Sequence, residues 1–119
     1  RKISVFAYNL ETIMAEKLET VISRGDQNTR LRDYYDIYIL SKLQYSNIVP
    51  ASLKEALNET TEKRGSKAVV EDYHNIMDTV RSSEVMQKRW DNYQKDFEYA
   101  KDIAFKDVCT AVIRLISSL

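Results

Sequence analysis

The 119 residues hold 18 Lys and Arg against 18 Asp and Glu, so the formal net charge is zero, and 44% of them are hydrophobic. This fits a single folded domain over residues 1–119 and excludes both a disordered chain and a surface that is basic all over for nucleic acid. One Cys and one His exclude a disulfide framework and a cysteine-based zinc site. No apolar run approaches the roughly 20 residues that span a bilayer, and no signal-peptide pattern is visible, so the expected location is cytoplasmic, with no membrane partner.

Two Gly and one Pro in the whole chain favour long helices over strands and tight turns. At the start, Ile3, Val5 and Ala7 alternate with Ser4, Phe6 and Tyr8, which predicts one short β-strand. A lone strand leaves its backbone groups unpaired, and the chain opens at Arg1 rather than Met. Both features suggest a fragment whose sheet partners lie upstream, or an edge strand that pairs with a second copy. Asn9 then caps a helix that Gly25 ends. Asn28 or Thr29 caps a second helix running to about Leu43. Pro50 opens a third, with Leu53, Ala56, Leu57 and Thr60 inward, stopping near Arg64-Gly65. A fourth carries Val69, Tyr73, Ile76, Met77 and Val80 on one stripe. Ser82 or Ser83 caps a fifth, whose stripe Met86, Trp90, Tyr93 and Phe97 reads as core. A sixth begins near Phe105 and carries Val108, Cys109, Val112, Ile113 and Ile116. The expected fold is all-α: an antiparallel bundle of about six helices with one short N-terminal strand.

Some polar residues sit against this pattern. On the first helix the stripe Leu10, Ile13, Met14, Val21 and Arg24 has Lys17 at its centre, where a surface helix would place an apolar residue. The second helix, from Arg30 to Leu40, is apolar on most sides, yet Asp33 and Asp36 lie one turn apart on one face. Carboxylates buried with a helix are costly unless they meet a cation or donors. Lys17 is the nearest candidate partner, with Arg24 beyond it, so opposite charges on consecutive helices suggest a polar site.

The segments Tyr8-Asn9-Leu10-Glu11-Thr12-Ile13-Met14-Ala15-Glu16-Lys17-Leu18, Ser23-Arg24-Gly25 and Asn28-Thr29-Arg30-Leu31-Arg32-Asp33-Tyr34-Tyr35-Asp36 resemble the AbiEii/AbiGii toxin family of nucleotidyltransferase-like proteins, many of them toxins of bacterial toxin–antitoxin pairs. The family has a strand leading into an A-E-K-L helix, then an R-x5-R-x-K/R-D-x-x-D segment and a helical C-terminal half. Ala56 to Arg64 is similar to its A-x-x-T-F-x-x-R stretch, with Thr61 in place of Phe. The resemblance implies that Lys17 contacts nucleotide phosphates, that Asp33 and Asp36 belong to the catalytic machinery with it, and that Arg24 and Arg32 flank the nucleotide. It implies Mg2+ and a nucleoside triphosphate for the intact protein, an RNA acceptor such as tRNA, and an antitoxin partner. The family's Gly-Ser followed by an Asp-x-Asp metal motif has no counterpart. The single Gly-Ser pair, Gly65-Ser66, lies between helices with no paired acids after it. This chain therefore reads as the C-terminal helical portion of such a protein, completed by an N-terminal catalytic domain, without a metal site or cofactor of its own and inactive alone.

Plainer readings stand beside these. Lys17 can snorkel to water, Asp33 and Asp36 can form a structural ion-pair network with Arg32, and Arg24 can simply complement its helix dipole. On that footing the chain is a non-catalytic helical interaction module. The clusters Lys63-Arg64-Lys67 and Lys88-Arg89 read as solvated faces.

Overall fold

The computed structural model describes the backbone of residues 2–119 and the side chains from Leu10 onward. Among the described residues there are seven α-helices: α1 (Lys2–Arg24), α2 (Arg32–Leu43), α3 (Pro50–Arg64), α4 (Lys67–Glu71), α5 (Tyr73–Ser82), α6 (Glu84–Asp96) and α7 (Phe105–Ser117). Short 3-10 turns lie at Gly25–Gln27, Tyr45–Asn47 and Glu98–Ala100.

The expected N-terminal strand is not seen: its residues form the leading turns of α1. Six alternating residues are a weak signal when the following segment is strongly helical, because extending an existing helix avoids the cost of a new nucleus. A second correction concerns the expected fourth helix, which is two. Asp72 leaves helical geometry between α4 and α5, and its carboxylate accepts from the Asn75 side-chain amide at 2.7 Å. A short acidic side chain that bonds locally competes with the helix backbone.

The other boundaries follow from capping chemistry. Gly25 ends α1 with φ +54°, and Gly65 ends α3 with φ +67°, a left-handed conformation that costs a side-chain-bearing residue. Pro50 stands at the start of α3. Ser83 caps α6, its Oγ accepting from the Met86 N–H at 3.2 Å. The expected Asn28 cap takes another form. Its Oδ1 accepts from the Arg30 N–H at 2.8 Å, shaping the turn that leads into α2.

Contacts fix the direction of each helix. Asp33, near the start of α2, lies level with Lys17, while beyond its end the Val49 N–H donates to Glu11 at 2.8 Å. Thus α2 runs antiparallel to α1. Next, α3 turns back alongside α1, with Glu11 at its start and Glu19 against Arg64 at its end. α5 and α7 oppose each other, Tyr73 at the start of one meeting Ser117 at the end of the other. The core sits between these layers. Met14, Leu18, Val21 and Ile22 of α1 meet Tyr34 and Ile37, Leu53, Met77 and Val80, Trp90, and Phe105, Val108 and Val112.

Three expectations about the core need correcting: Val69, placed on the stripe of the expected fourth helix, is exposed on α4. Ile13 is exposed, because α1 turns the arc from Met14 through Ala15, Leu18 and Ile22 inward. Phe97 is exposed too: it lies just past the last residue of α6, in extended backbone, so the helical stripe ends at Tyr93.

Candidate functional site

Lys17 sits on the shoulder of the buried arc of α1, one turn before Val21. Its ammonium meets two carboxylates of α2: Nζ is 2.9 Å from Asp36 Oδ2 and 3.3 Å from Asp33 Oδ1. The lysine side chain keeps 21% of its surface exposed, and that of Asp33 keeps 8%. Two arginines close the cluster from outside, Arg30 Nε at 3.8 Å from Asp33 Oδ2 and Arg32 Nε at 3.8 Å from Asp36 Oδ2. The pairing inferred from the helical pattern is thus the pairing found.

The register of α2 against α1 depends on a clamp from α6. One guanidinium nitrogen of Arg89 donates to the carbonyls of Asp26 at 3.0 Å and Asn28 at 3.1 Å. This ties down the turn between the two helices, and Asn28 is fully buried there. Trp90, also fully buried, donates from Nε1 to the Ile103 carbonyl at 2.8 Å, and Gln94 reaches the carbonyls of Ala100 and Ile103. α6 therefore holds both the turn that positions Asp33 and the loop that leads into α7.

Beside Lys17 lies an open depression of about 340 Å³, lined by Ile13, Glu16, Lys17, Thr20, Arg24, Arg30, Asp33 and Arg64. Four cations face two acids in the lining; Asp36 and Glu19, outside it, pair with Lys17 and Arg64, so its attraction for an anion rests mainly on the exposed guanidiniums of Arg24 and Arg30. Arg24 lies in this lining. Arg32 lies on the Asp36 side of the cluster and is not among the lining residues. A larger depression of about 490 Å³ between α1 and α3 carries Glu11, Glu16, Glu55 and Glu59 against Lys63 and Arg64, so acids outnumber cations there.

The sequence pattern missed Arg30, Arg64 and their supports. Arg64 stands at the end of α3 and pairs with Glu19, buried on the α3-facing side of α1, while reaching Thr20 Oγ1 at 3.3 Å. Burial pushes the Glu19 carboxyl up, but the hydroxyls of Ser66 and Ser23 and the Arg64 guanidinium outweigh it and hold the group below the ordinary 4.5. The Ser66 hydroxyl contributes as a neighbouring dipole, since it makes no hydrogen bond of regular geometry. Glu11 and Glu19 lie eight positions apart on one face of α1, the only trace of this second charged stripe in the sequence.

Among the described residues no group of three or more His, Cys, Asp or Glu converges to hold a metal ion. Asp33 and Asp36 both turn an oxygen to Lys17 instead. No described helix is long and apolar enough to cross a membrane.

Neither the curated proteins nor the solved structures compared with this chain give a match. A family model described as "Nucleotidyl transferase AbiEii toxin, Type IV TA system" does match, over residues 1–112. That span includes the lysine, both aspartates, every arginine of the cluster and the α6 clamp, and on it the chain belongs to the AbiEii family of nucleotidyl transferase toxins from type IV toxin–antitoxin systems.

Proposed function

We propose that this chain is the helical part of an AbiEii-type nucleotidyltransferase and that Lys17 binds nucleotide phosphate. The observation that carries the reading is the grip of Asp33 and Asp36 on the Lys17 ammonium, at 3.3 and 2.9 Å, at the rim of a depression with more cations than acids. An ammonium has three N–H donors. Two are met by the carboxylates, which leaves the third for a phosphate oxygen. The two aspartates act as positioning residues that orient this charge and stop it wandering. Arg24 and Arg30 supply further positive charge within the depression, and Arg32 steadies Asp36.

Nucleotidyl transfer is largely positioning and charge stabilisation around a triphosphate, usually with magnesium. The acids described here do not fit a magnesium site, because both aspartates are committed to Lys17 and no third ligand joins them. We therefore assign the metal and the chemical step to an N-terminal catalytic domain carrying the Asp-x-Asp motif that these 119 residues lack. The acceptor on this reading is an RNA, and the regulator an antitoxin protein.

The test is incorporation of labelled nucleoside triphosphate into bulk RNA with magnesium. The intact protein should transfer, this chain alone should not, and Lys17→Ala in the intact protein should abolish transfer while keeping a folded circular dichroism spectrum at a lowered melting temperature. Normal turnover in Lys17→Ala refutes the phosphate role, and robust incorporation by the chain alone refutes the division between two domains.

A further inference from the structure

Four aromatic rings gather where α2 meets the end of α6 and the 3-10 turn that follows. Tyr35 of α2 lies 4.6 Å from Tyr99, centroid to centroid, and 6.4 Å from Tyr93. Phe97 lies 4.7 Å from Tyr93 and 5.4 Å from Tyr99. The hydroxyls of Tyr93 and Tyr99 share a hydrogen bond of 2.7 Å. Tyr93 is buried beneath the group, whereas Phe97 and Tyr99 keep 39% and 49% of their surface exposed. One exposed aromatic residue is ordinary. A packed cluster with two rings left at the surface forgoes burial that its neighbours obtain and marks a surface that binds something.

Its position is informative. Arg32, Tyr35 and Asp36 occupy one face of α2, at spacings i, i+3 and i+4. The charges of Arg32 and Asp36 both act on the Tyr93 hydroxyl. The rings therefore adjoin the carboxylate that holds Lys17. Arg32, exposed, pairs with Asp36 on the face that carries Tyr35, and Arg30, two residues earlier and also exposed, lines the basic depression. Two acids flank Phe97: Glu98 is engaged by Lys101 at 3.0 Å, and Asp96 closes α6 on the other side.

We propose that Phe97 and Tyr99 form a stacking platform for unpaired bases of a single-stranded nucleic acid, whose phosphate backbone follows Arg32 and Arg30 toward the Lys17 depression. A mononucleotide site is concave and encloses its ligand. Rings open to solvent beside exposed guanidiniums suit a strand, because every base has a face to stack and the cations track its phosphates. The inference rests on the nucleotidyl-transfer reading only in taking this strand to be the acceptor.

The experiment is fluorescence anisotropy of this chain with a labelled eight-nucleotide oligoadenylate at low salt, beside a duplex of the same length. The single strand should bind more tightly than the duplex. Phe97→Leu with Tyr99→Leu should weaken it by about tenfold or more, the size expected for lost base stacking. Tyr99→Phe should keep the affinity, and Arg32→Gln should weaken binding and flatten its salt dependence. Far-UV circular dichroism checks that each variant folds. Unchanged affinity in the double variant, no binding by the wild type, equal binding of the duplex, or self-association through these rings without oligonucleotide binding each overturns the platform. Failure here alongside an inactive Lys17→Ala protein leaves the phosphate reading standing. Ring-dependent binding in a protein whose Lys17→Ala variant transfers normally removes the phosphate reading and keeps the platform.

Discussion

A lysine held by two carboxylates is a charge whose direction is set before any ligand arrives. Lys17 would lose rotamer entropy on binding a phosphate, and Asp33 and Asp36 have already taken that cost from the binding step. Removing the ammonium alone leaves two partly buried carboxylates facing one another. Lys17→Met should therefore lower stability by about 1–3 kcal/mol, seen as a lower urea midpoint with an unchanged slope. Adding Asp33→Asn and Asp36→Asn should recover most of that loss, because a neutral cluster of similar volume has no uncompensated charge. Glu19 gives a separate test through pH. Its carboxyl lies below its ordinary value in the folded chain, so the stability it contributes is present above the unfolded pKa and is lost as pH falls through the folded one. The urea midpoint should decline below about pH 4.5. Glu19→Gln should be less stable at pH 7 and fall less on acidification. An equal acid slope in both proteins would remove Glu19 as the cause.

Among the helices, α6 has the widest reach. It fastens the turn before α2 through Arg89 and the loop before α7 through Trp90 and Gln94. Arg89→Ala should speed amide hydrogen exchange of residues 26–30 while leaving α3 and α4 protected, since only the turn loses its clamp. Uniformly faster exchange would mean that Arg89 supports the whole core instead. This clamp was not legible in the sequence, where Lys88-Arg89 reads as a solvated pair, because its acceptors are backbone carbonyls some sixty residues earlier. Arg64 and Glu19 escaped for the same reason, being 45 positions apart. The Lys17–Asp33–Asp36 cluster was legible because its members interrupt two strongly periodic helices that follow one another. Caps were legible where one residue acts locally, as at Pro50, Gly65 and Ser83. The N-terminal alternation and the break at Asp72 misled, since each is decided by competition between local bonds and helix propagation rather than by periodicity.

On the scale of the molecule, a net charge of zero conceals a segregation of charge. The helices sort the ions unevenly: in one depression Lys17, Arg24, Arg30 and Arg64 outnumber Glu16 and Asp33, while in the next, which shares Glu16 and Arg64, four glutamates outnumber two cations. A neutral chain can in this way present a local anion site without becoming a general polyanion binder. The family match covers this arrangement, and on the phosphate role proposed for Lys17 such a basic wall would serve a polyphosphate substrate. The competing demand is structural: the same ion pairs also lock α1 to α2, and a single substitution disturbs both roles. Measuring nucleotide transfer by the intact protein carrying Lys17→Met, Asp33→Asn and Asp36→Asn together separates them, because this variant should fold nearly as stably as the wild type. The account predicts that transfer is lost in that folded, neutralised protein; transfer at the wild-type rate would contradict it.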